Sequence, residues 1–517
     1  MQDVDPVPTN GKPFLEQHSL KRPLRVLDIW ALGVGVVITG EYFGWNLGLK
    51  DNGPVAMLVA SLIVCLLYMT WVLALAELSI ALPFAGGPLA YGRRAVDTSL
   101  GFVMGWSMLL ECQFATIATA IATGGYIAFL INLLFPGEIS DPNLAVWSAL
   151  ATVVVFFLLH TIGVKEQSWV MVVMTYGAIL GLVLFWIVAA TNFSWDRIWT
   201  KPILPAAKGW KAVLDAVPYA LWWLVMIETV ALAAEEAHEP QRTLARGLVW
   251  AQLTLIVLVV LTWFFACGAV DSQELAVTRV REIAVPRKVE DSTALKGKQE
   301  LSLDPTPQEK DQFKEEYVEY PLAKAFEMIP AGKSKLLAVI FGAIALFGMI
   351  ASYHGMVYGT SRQAFALGRA GYLPAFLGKV DQKRRTPVPA LLTTSLITAG
   401  FVVANIWFKD AIAVAVLVST LTALVWYILA MGCLYILRRR EPELFQGYRA
   451  PLTRILPITV LALSLFAVYV YSGIDVKVIP LTALLYAVGL VYFWFWAHPR
   501  IQSAAPEERT APMGKLP

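Results

Sequence analysis

A glutamate lies near the middle of the first apolar segment, where a membrane helix rarely carries charge. The stretch GVGVVITGEYFGWNLG (33–48) falls inside an apolar run over residues 27–49, long enough to cross a bilayer at ~20 residues per crossing. Gly40 and Gly44 stand beside Glu41, and glycine weakens a helix there. An unpaired carboxylate at mid-membrane costs roughly 2.5–3.5 kcal/mol on insertion scales. The combination predicts an interrupted helix and a site for a cationic group at Glu41. The alternative is a structural glutamate bonded to a neighbouring helix.

Two further acids lie inside apolar segments. Glu228 lies about as far into the sixth segment as Glu41 lies into the first, and Glu111 lies in the third. Ionisable groups at membrane depth usually mark a substrate or proton pathway. Glu228 either contacts the substrate or bonds to the free N–H groups of the first interruption. Glu111 either completes the site or carries a proton.

Aromatic and polar residues beside these acids extend the candidate site. An aromatic face attracts an ammonium group by ~0.5–2 kcal/mol, and Phe43 and Trp223 are the preferred candidates. His354, in the eighth segment, either titrates or makes a structural hydrogen bond. The predicted substrate-binding residues are Thr39, Gly40, Glu41, Phe43, Glu111, Trp223 and Glu228. The predicted proton-carrying or gating residues are His354, Glu77 and Glu235.

The composition is that of a protein that crosses the bilayer several times. Of 517 residues, 57% are hydrophobic and 15% are charged, which excludes an ordinary soluble enzyme. The net charge of +3 predicts no nucleic-acid partner. The four cysteines lie in apolar segments without a CxxC or Cys/His cluster, so we expect no metal and no other cofactor. There is no P-loop, GxSxG or HExxH motif, so the sequence indicates no enzyme and no ATP-driven transport.

Twelve apolar segments predict an all-α protein with twelve membrane helices. Lys and Arg residues concentrate in alternate short loops, which predicts a cell-membrane protein with both termini in the cytoplasm. One loop conflicts with this orientation, because the loop between the fifth and sixth segments is basic although it would lie outside the cytoplasm. The predicted divisions are a cytoplasmic N-terminal segment (1–26), helices 1–5 (27–192), helices 6–10 (213–440), helices 11–12 (451–497) and a cytoplasmic tail (498–517). A charged extracytoplasmic loop spans 271–333. Its part EKDQFKEEYVEYPLAKAFEMI is a candidate amphipathic helix.

The equivalent depth of Glu41 and Glu228 suggests an internal repeat. Each copy would contain five segments, and an odd number inverts the second copy. Segments one to five and six to ten would then be inverted repeats, with helices 1 and 6 interrupted. No glycine or proline stands beside Glu228, so its interruption is inferred from symmetry.

Three motifs resemble those of the amino acid–polyamine–organocation permeases. They are AELSIALPFAGGPLAYGRRAVDTSLGFVMGW (76–106), GVKE (163–166) and IETVALAAEEAHEPQRTLARG (227–247). GEYFGWNLGL (40–49) and ASYHGMVYGTSRQAFALGRAGYLP (351–374) are most similar to the ethanolamine permeases within that superfamily. The resemblance implies the leucine-transporter-type fold, alternating access and a site between helices 1, 3, 6 and 8. It also places Ser352 at the level of a sodium ion.

Two departures from the superfamily pattern bear on the substrate. Amino-acid permeases commonly have a small G-S/T-G break in helix 1 whose N–H groups bind the substrate carboxylate, and here T-G-E stands in its place. Glu41 would repel a carboxylate and attract an amine. The fifth segment also lacks the lysine that some proton-coupled members carry.

The sequence therefore predicts a secondary active or facilitative importer of ethanolamine or a similar small primary amine. The alternatives are a neutral or cationic amino-acid permease and an amine sensor that does not transport. The expected partners are the amine, the lipid bilayer and a coupling ion, H⁺ or Na⁺, if there is one. The membrane potential alone draws a cation inward by ~2.3 kcal/mol per 100 mV, so coupling is not required.

Overall fold

The structure is a computed structural model that describes residues 20, 22–138, 141–199, 202–281, 313–408, 411–471, 473 and 478–501. Most of the predicted N-terminal segment and tail, and the centre of the charged loop, lie outside these residues. The α-helices are α1 Val26–Val37, α2 Thr39–Tyr42, α3 Gly53–Ala81, α4 Pro88–Ala95, α5 Thr98–Leu134, α6 Leu144–Ile162, α7 Val164–Ala190, α8 Trp195–Ile198, α9 Lys211–Leu221, α10 Pro240–Ala269, α11 Ser272–Ala276, α12 Pro321–Met328, α13 Lys335–Arg369, α14 Val388–Ala404, α15 Ala411–Arg440, α16 Ile455–Tyr471 and α17 Val478–Tyr492.

Eight helical stretches in the described residues are long and apolar enough to cross a membrane. They are α3, α5, α6, α7, α10, α13, α15 and the stretch Val478–Arg500, which begins with α17. The apolar helices α14 and α16 are shorter. The protein is therefore a multi-pass membrane protein, and α5 and α13 are its longest helices, with 37 and 35 residues.

The helix boundaries follow ordinary local chemistry. The Asp97 side chain accepts a hydrogen bond from the Leu100 amide at 2.8 Å and caps the start of α5. Proline occupies the first turn of α3, α4, α10 and α12, where no helical N–H bond is lost. Gly163, with a φ of 154°, separates α6 from α7.

Two helical segments are interrupted at membrane depth. The first turns at Ile38 after α1, continues as α2, and ends where Phe43 is extended and Gly44 has a φ of 94°. It resumes as a 3-10 segment over Trp45–Leu49. In the second, α9 ends at Leu221, Met226 has a left-handed φ of 84°, and a 3-10 segment follows over Ile227–Glu236. Backbone of this kind is tolerated in a membrane only inside the protein, and every residue from Leu221 to Glu236 is buried.

Two short strands accompany the helices in the described residues, and both lie inside the predicted charged loop 271–333. Strands β1 Val277–Arg281 and β2 Phe313–Tyr317 pair antiparallel, with Val277 opposite Tyr317. The predicted amphipathic helix is wrong over 313–317, where FKEEY forms β2, while its later part includes α12. Residues 309–312 of that prediction lie outside the described residues. Pro321 lies in the first turn of α12, where no helical N–H bond is lost. Asn46 Nδ2 donates to the carbonyls of Leu275 and Val318, both at 2.8 Å, and so ties this ribbon to the first interruption.

The core forms where α5 packs against α13 and α15, while α1 packs against α7, α10 and α13. The two interrupted segments touch directly at Gly40. A Cβ atom there would lie 2.6 Å from the Trp222 carbonyl oxygen and 3.1 Å from the Trp223 Cα atom. Both neighbours are backbone atoms, so they have little room to move away.

We predict that Gly40→Ala lowers the stability of the protein. Overpacking of this kind costs about 1–3 kcal/mol. Gly400→Ala is the matched control, because Gly400 lies inside α14 and a Cβ there meets no atom within 4 Å. Alanine favours a helix over glycine by ~1 kcal/mol, so the control should keep or raise the melting temperature. Thermal unfolding of the purified protein in detergent measures both, and equal melting temperatures for the two variants would contradict the close contact.

Candidate functional site

A serine hydroxyl from α13 is inserted into the backbone of the first interrupted segment. Ser352 Oγ accepts from the Thr39 N–H at 2.9 Å and donates to the Gly35 carbonyl at 2.8 Å. In a continuous helix these two backbone groups would bond to each other. The Thr39 hydroxyl also donates to the Gly348 carbonyl of α13 at 2.9 Å. Residues of α13 therefore pair with the N–H and the hydroxyl of Thr39 at this interruption.

Aromatic rings surround the crossing of the two interrupted segments. Trp45 stacks on Trp223 with 4.7 Å between ring centroids, and Phe43 meets Trp222 edge-on at 5.7 Å. Trp223 Nε1 donates to the Ser61 hydroxyl at 3.0 Å. Phe43 and Trp223, both predicted site residues, thus lie at the same crossing as Gly40, each packed against another aromatic ring.

The carboxyl group of Glu41 is fully buried and has no hydrogen-bond partner on either oxygen among the described residues. The Thr262 side chain of α10 lies close enough to interact with it, although not in hydrogen-bonding geometry. A buried carboxylate left without donors is costly, so this group requires a proton or a cationic donor.

The other two predicted acids bind neighbouring residues of one helix. Glu111 and Glu228 are both fully buried, and they contact the adjacent residues Trp426 and Tyr427 of α15. Glu228 Oε1 accepts from the Met226 N–H at 3.1 Å and from the Tyr427 hydroxyl. Glu111 Oε2 accepts from Trp426 Nε1 at 2.6 Å. We call Glu111 and Glu228 the carboxyl pair. Glu41 has no hydrogen bond to either member.

Sequence reasoning missed the aromatic residues that hold the carboxyl pair. Trp426 and Tyr427 of α15 donate to it, and Trp71 of α3 stacks on Tyr427 with centroids 4.1 Å apart. The Tyr427 hydroxyl also lies 3.4 Å from that of Tyr68. The adjacent Trp-Tyr dipeptide inside the tenth apolar segment could have indicated these residues, because buried N–H and O–H groups need acceptors such as a carboxyl group.

His354 lies apart from the three acids. Its Nε2 atom is 3.0 Å from the Gln167 carbonyl, and its ring is 4.4 Å from that of His160. It also borders a small cavity of about 20 Å³ that includes Asp28 and Tyr358 in its lining. These contacts are those of a packed, hydrogen-bonded histidine, which is one of the two expected roles.

Three acids at one end of the bundle form ion pairs with arginines. Glu235 binds Arg369 through two hydrogen bonds of 2.9 and 2.8 Å, and it also accepts from the Ala85 N–H at 3.0 Å. Glu77 binds Arg438 at 2.8 and 2.7 Å. The Glu236–Arg362 pair, at 3.1 Å, is buried on both sides. Each pair joins helices that are distant in the sequence.

Neither a metal nor a redox centre is indicated in the described part of the chain. The four cysteines are free and buried, and no cluster of three His, Cys, Asp or Glu residues is arranged to hold a metal ion.

Comparison with known proteins agrees with this architecture. The chain is 25% identical over 390 residues to an uncharacterized transporter of Rhizobium meliloti, covering 74% of this chain and 73% of that protein. It is 24% identical to the branched-chain amino acid permease BcaP of Bacillus subtilis, covering 87% and 88%. It is 25% identical to the methylthioribose transporter of the same species, covering 89% and 90%. The amino acid permease family model matches residues 29–499. With that match across most of its length, this chain belongs to the amino acid permease family of membrane transporters.

Proposed function

We propose that this chain transports ethanolamine or a similar small primary amine that lacks a carboxylate. The observation that carries the proposal is the Glu41 carboxylate, buried beside a helix interruption with both oxygens unpaired. An ammonium group has N–H donors and a positive charge, which together satisfy such a carboxylate. A zwitterionic substrate would bring a second carboxylate toward the same acid.

Several backbone N–H groups that could bind a substrate carboxylate already donate to side chains of the protein. Thr39 N–H donates to Ser352, Gly44 N–H donates to Asn46 Oδ1 at 3.1 Å, and Met226 N–H donates to Glu228. These groups lie at the two interruptions, where exposed backbone amides favour anions. Because this chain supplies its own acceptors there, the site favours a substrate without an acid group.

In the proposed site Glu41 binds the ammonium group, with Thr39, Gly40, Phe43 and Trp223 around the crossing. Glu111 and Glu228 contribute two further carboxyl groups to the proposed site, on the side that faces α15. The substrate hydroxyl pairs with a backbone carbonyl or hydroxyl near Thr39.

We further propose twelve membrane helices in a 5+5 inverted-repeat arrangement, with the divisions given by the sequence and both termini in the cytoplasm. The interruption in the second half and its buried acid support the repeat. Glu77 and Glu235 would close the cytoplasmic end through their arginine partners, while His354 supports that end without contacting substrate. The protein would reside in the cytoplasmic membrane.

An amino-acid permease is the second candidate, and the BcaP relatives favour it. In that case Glu41 is a protonated structural group, and the substrate carboxylate must displace one of the internal acceptors from a backbone amide. The two candidates differ in which ligand the purified protein binds.

We predict that ethanolamine stabilises the purified protein against thermal unfolding and that Glu41→Gln removes the effect. A hydrogen bond to a charged group contributes about 1.5–3 kcal/mol, which corresponds to a roughly 10- to 150-fold loss of affinity. Alanine, lysine and choline serve as comparison ligands, and Glu274→Gln, at an exposed residue of α11, is the matched control. Unchanged ethanolamine binding in Glu41→Gln would exclude Glu41 as the ammonium partner.

Substrate competition in proteoliposomes distinguishes the two candidates. We expect labelled ethanolamine to accumulate and unlabelled ethanolamine to compete with it, while alanine and leucine in excess leave the uptake rate unchanged, because their carboxylates meet Glu41. Saturable uptake of leucine without uptake of ethanolamine would instead establish an amino-acid permease.

A further inference from the structure

The oxygen atom Glu228 Oε1 is bound by two donors that reach it from different elements. The Met226 N–H donates to it at 3.1 Å from the second interruption, and the Tyr427 hydroxyl donates to it from α15. All three residues are fully buried. Two donors that meet at one point inside a protein form a binding site for a carboxylate oxygen, and here the chain itself supplies the carboxylate.

The backbone on the Met226 side of this site favours an anion. Met226 directly precedes the 3-10 segment Ile227–Glu236, so its N–H lies at the N-terminal end of a ten-residue helical segment. Free N–H groups and aligned peptide dipoles at such an end attract negative charge. The left-handed φ of 84° at Met226 is unusual for a residue with a side chain, and it persists only where the surroundings hold it.

The second donor is fixed by aromatic packing. Trp71 of α3 stacks on the Tyr427 ring with centroids 4.1 Å apart, and the Trp426 ring meets it edge-on at 5.0 Å. A side chain held between two large rings has little freedom to turn away. The Tyr427 hydroxyl therefore stays directed at the position of Glu228 Oε1.

We propose that Glu228 is a specificity-determining residue, whose carboxylate occupies the site formed by the Met226 N–H and the Tyr427 hydroxyl and so excludes a substrate carboxylate. A ligand acid would have to displace a group that is attached to the chain and therefore present at a high effective concentration. An amine without an acid group needs neither donor. The exclusion rests on the proposed function, because it concerns which ligands enter that site, whereas the donor site itself does not.

Chemical rescue by acetate tests the donor site without any transport substrate. Glu228→Ala removes Cγ, Cδ and both carboxylate oxygens, and the acetate ion consists of the same group of atoms. We expect acetate, present from extraction onward, to raise the melting temperature of Glu228→Ala toward that of the unsubstituted protein. Propionate, which is longer by a methylene group, and acetamide, which is uncharged, should raise it less.

Glu41→Ala is the matched control for this rescue. Glu41 is also a fully buried acid at an interruption, but its oxygens have no hydrogen-bond partner among the described residues. The space left by its removal therefore contains no donor already directed at a carboxylate, and acetate should raise the melting temperature of this variant less. Equal rescue of Glu41→Ala and Glu228→Ala, or rescue of neither, would overturn the donor site.

The exclusion of substrate carboxylates is tested by ligand binding to the purified protein. Glycine, alanine and β-alanine should not stabilise the unsubstituted protein against thermal unfolding. At least one of them should stabilise Glu228→Ala, because its carboxylate can then bind both donors. Adding Tyr427→Phe should weaken that binding roughly 10- to 150-fold, the effect of losing one hydrogen bond to a charged group. Equal stabilisation of the unsubstituted protein and Glu228→Ala, or of neither, would overturn the exclusion.

Glu228→Gln separates occupied donors from charge repulsion. Its side-chain carbonyl still accepts from the Met226 N–H and the Tyr427 hydroxyl but has no charge, so the amino acids should remain excluded. Binding of an amino acid by Glu228→Gln would show that repulsion between carboxylates is the cause, and the proposal would fail. This variant also decides the question if Glu228→Ala cannot be recovered folded with or without acetate.

The outcomes for the proposed substrate are separate. If ethanolamine does not stabilise the unsubstituted protein, the proposed substrate is rejected, and acetate rescue then decides the donor site by itself. If ethanolamine stabilises the unsubstituted protein but acetate does not rescue Glu228→Ala, the proposed substrate stands and the donor site is overturned.

Discussion

The central constraint on this protein is the burial of three carboxyl groups with no basic side chain paired to them. An ionised carboxylate in a low-dielectric interior is stable only with donors or a counter-charge. Glu111 and Glu228 accept hydrogen bonds from tryptophan, tyrosine and backbone N–H groups, but both oxygens of Glu41 and one oxygen of each other acid remain unpaired among the described residues. The buried acids Glu77, Glu235 and Glu236 are paired with arginines instead. The carboxyl group of Glu41 therefore requires a bound proton or a ligand cation.

The interrupted helices also depend on side chains that pair with their free backbone donors and acceptors. Ser352 occupies the bond that Gly35 and Thr39 would make in a regular helix, and Glu228 accepts from Met226 at the second interruption. Each interruption is thus closed by a side chain from inside the protein, which occupies the N–H groups of Thr39 and Met226. A movement of α13 or of the carboxyl pair changes the hydrogen bonding of an interruption directly.

The sequence alone predicted the membrane class and the three acids inside apolar segments, because hydropathy and charge at membrane depth are local signals. The contacts of Glu111 and Glu228 with α15 were not predictable, since they depend on how α5 and the second interruption pack against that helix. Trp426 and Tyr427 were missed for the same reason. The short ribbon was missed because its strands are polar and are joined by a long excursion, so no local hairpin signal links Val277 to Tyr317.

The separation of Glu41 from the carboxyl pair gives the acids different chemistry. Both oxygens of Glu41 lack a hydrogen-bond partner among the described residues, so this group can accept hydrogen bonds from a ligand cation. Glu111 and Glu228 instead accept hydrogen bonds from Trp426 and Tyr427 of α15. In the proposed function the substrate ammonium group therefore binds Glu41, whose oxygens have no such donors, rather than these two acids.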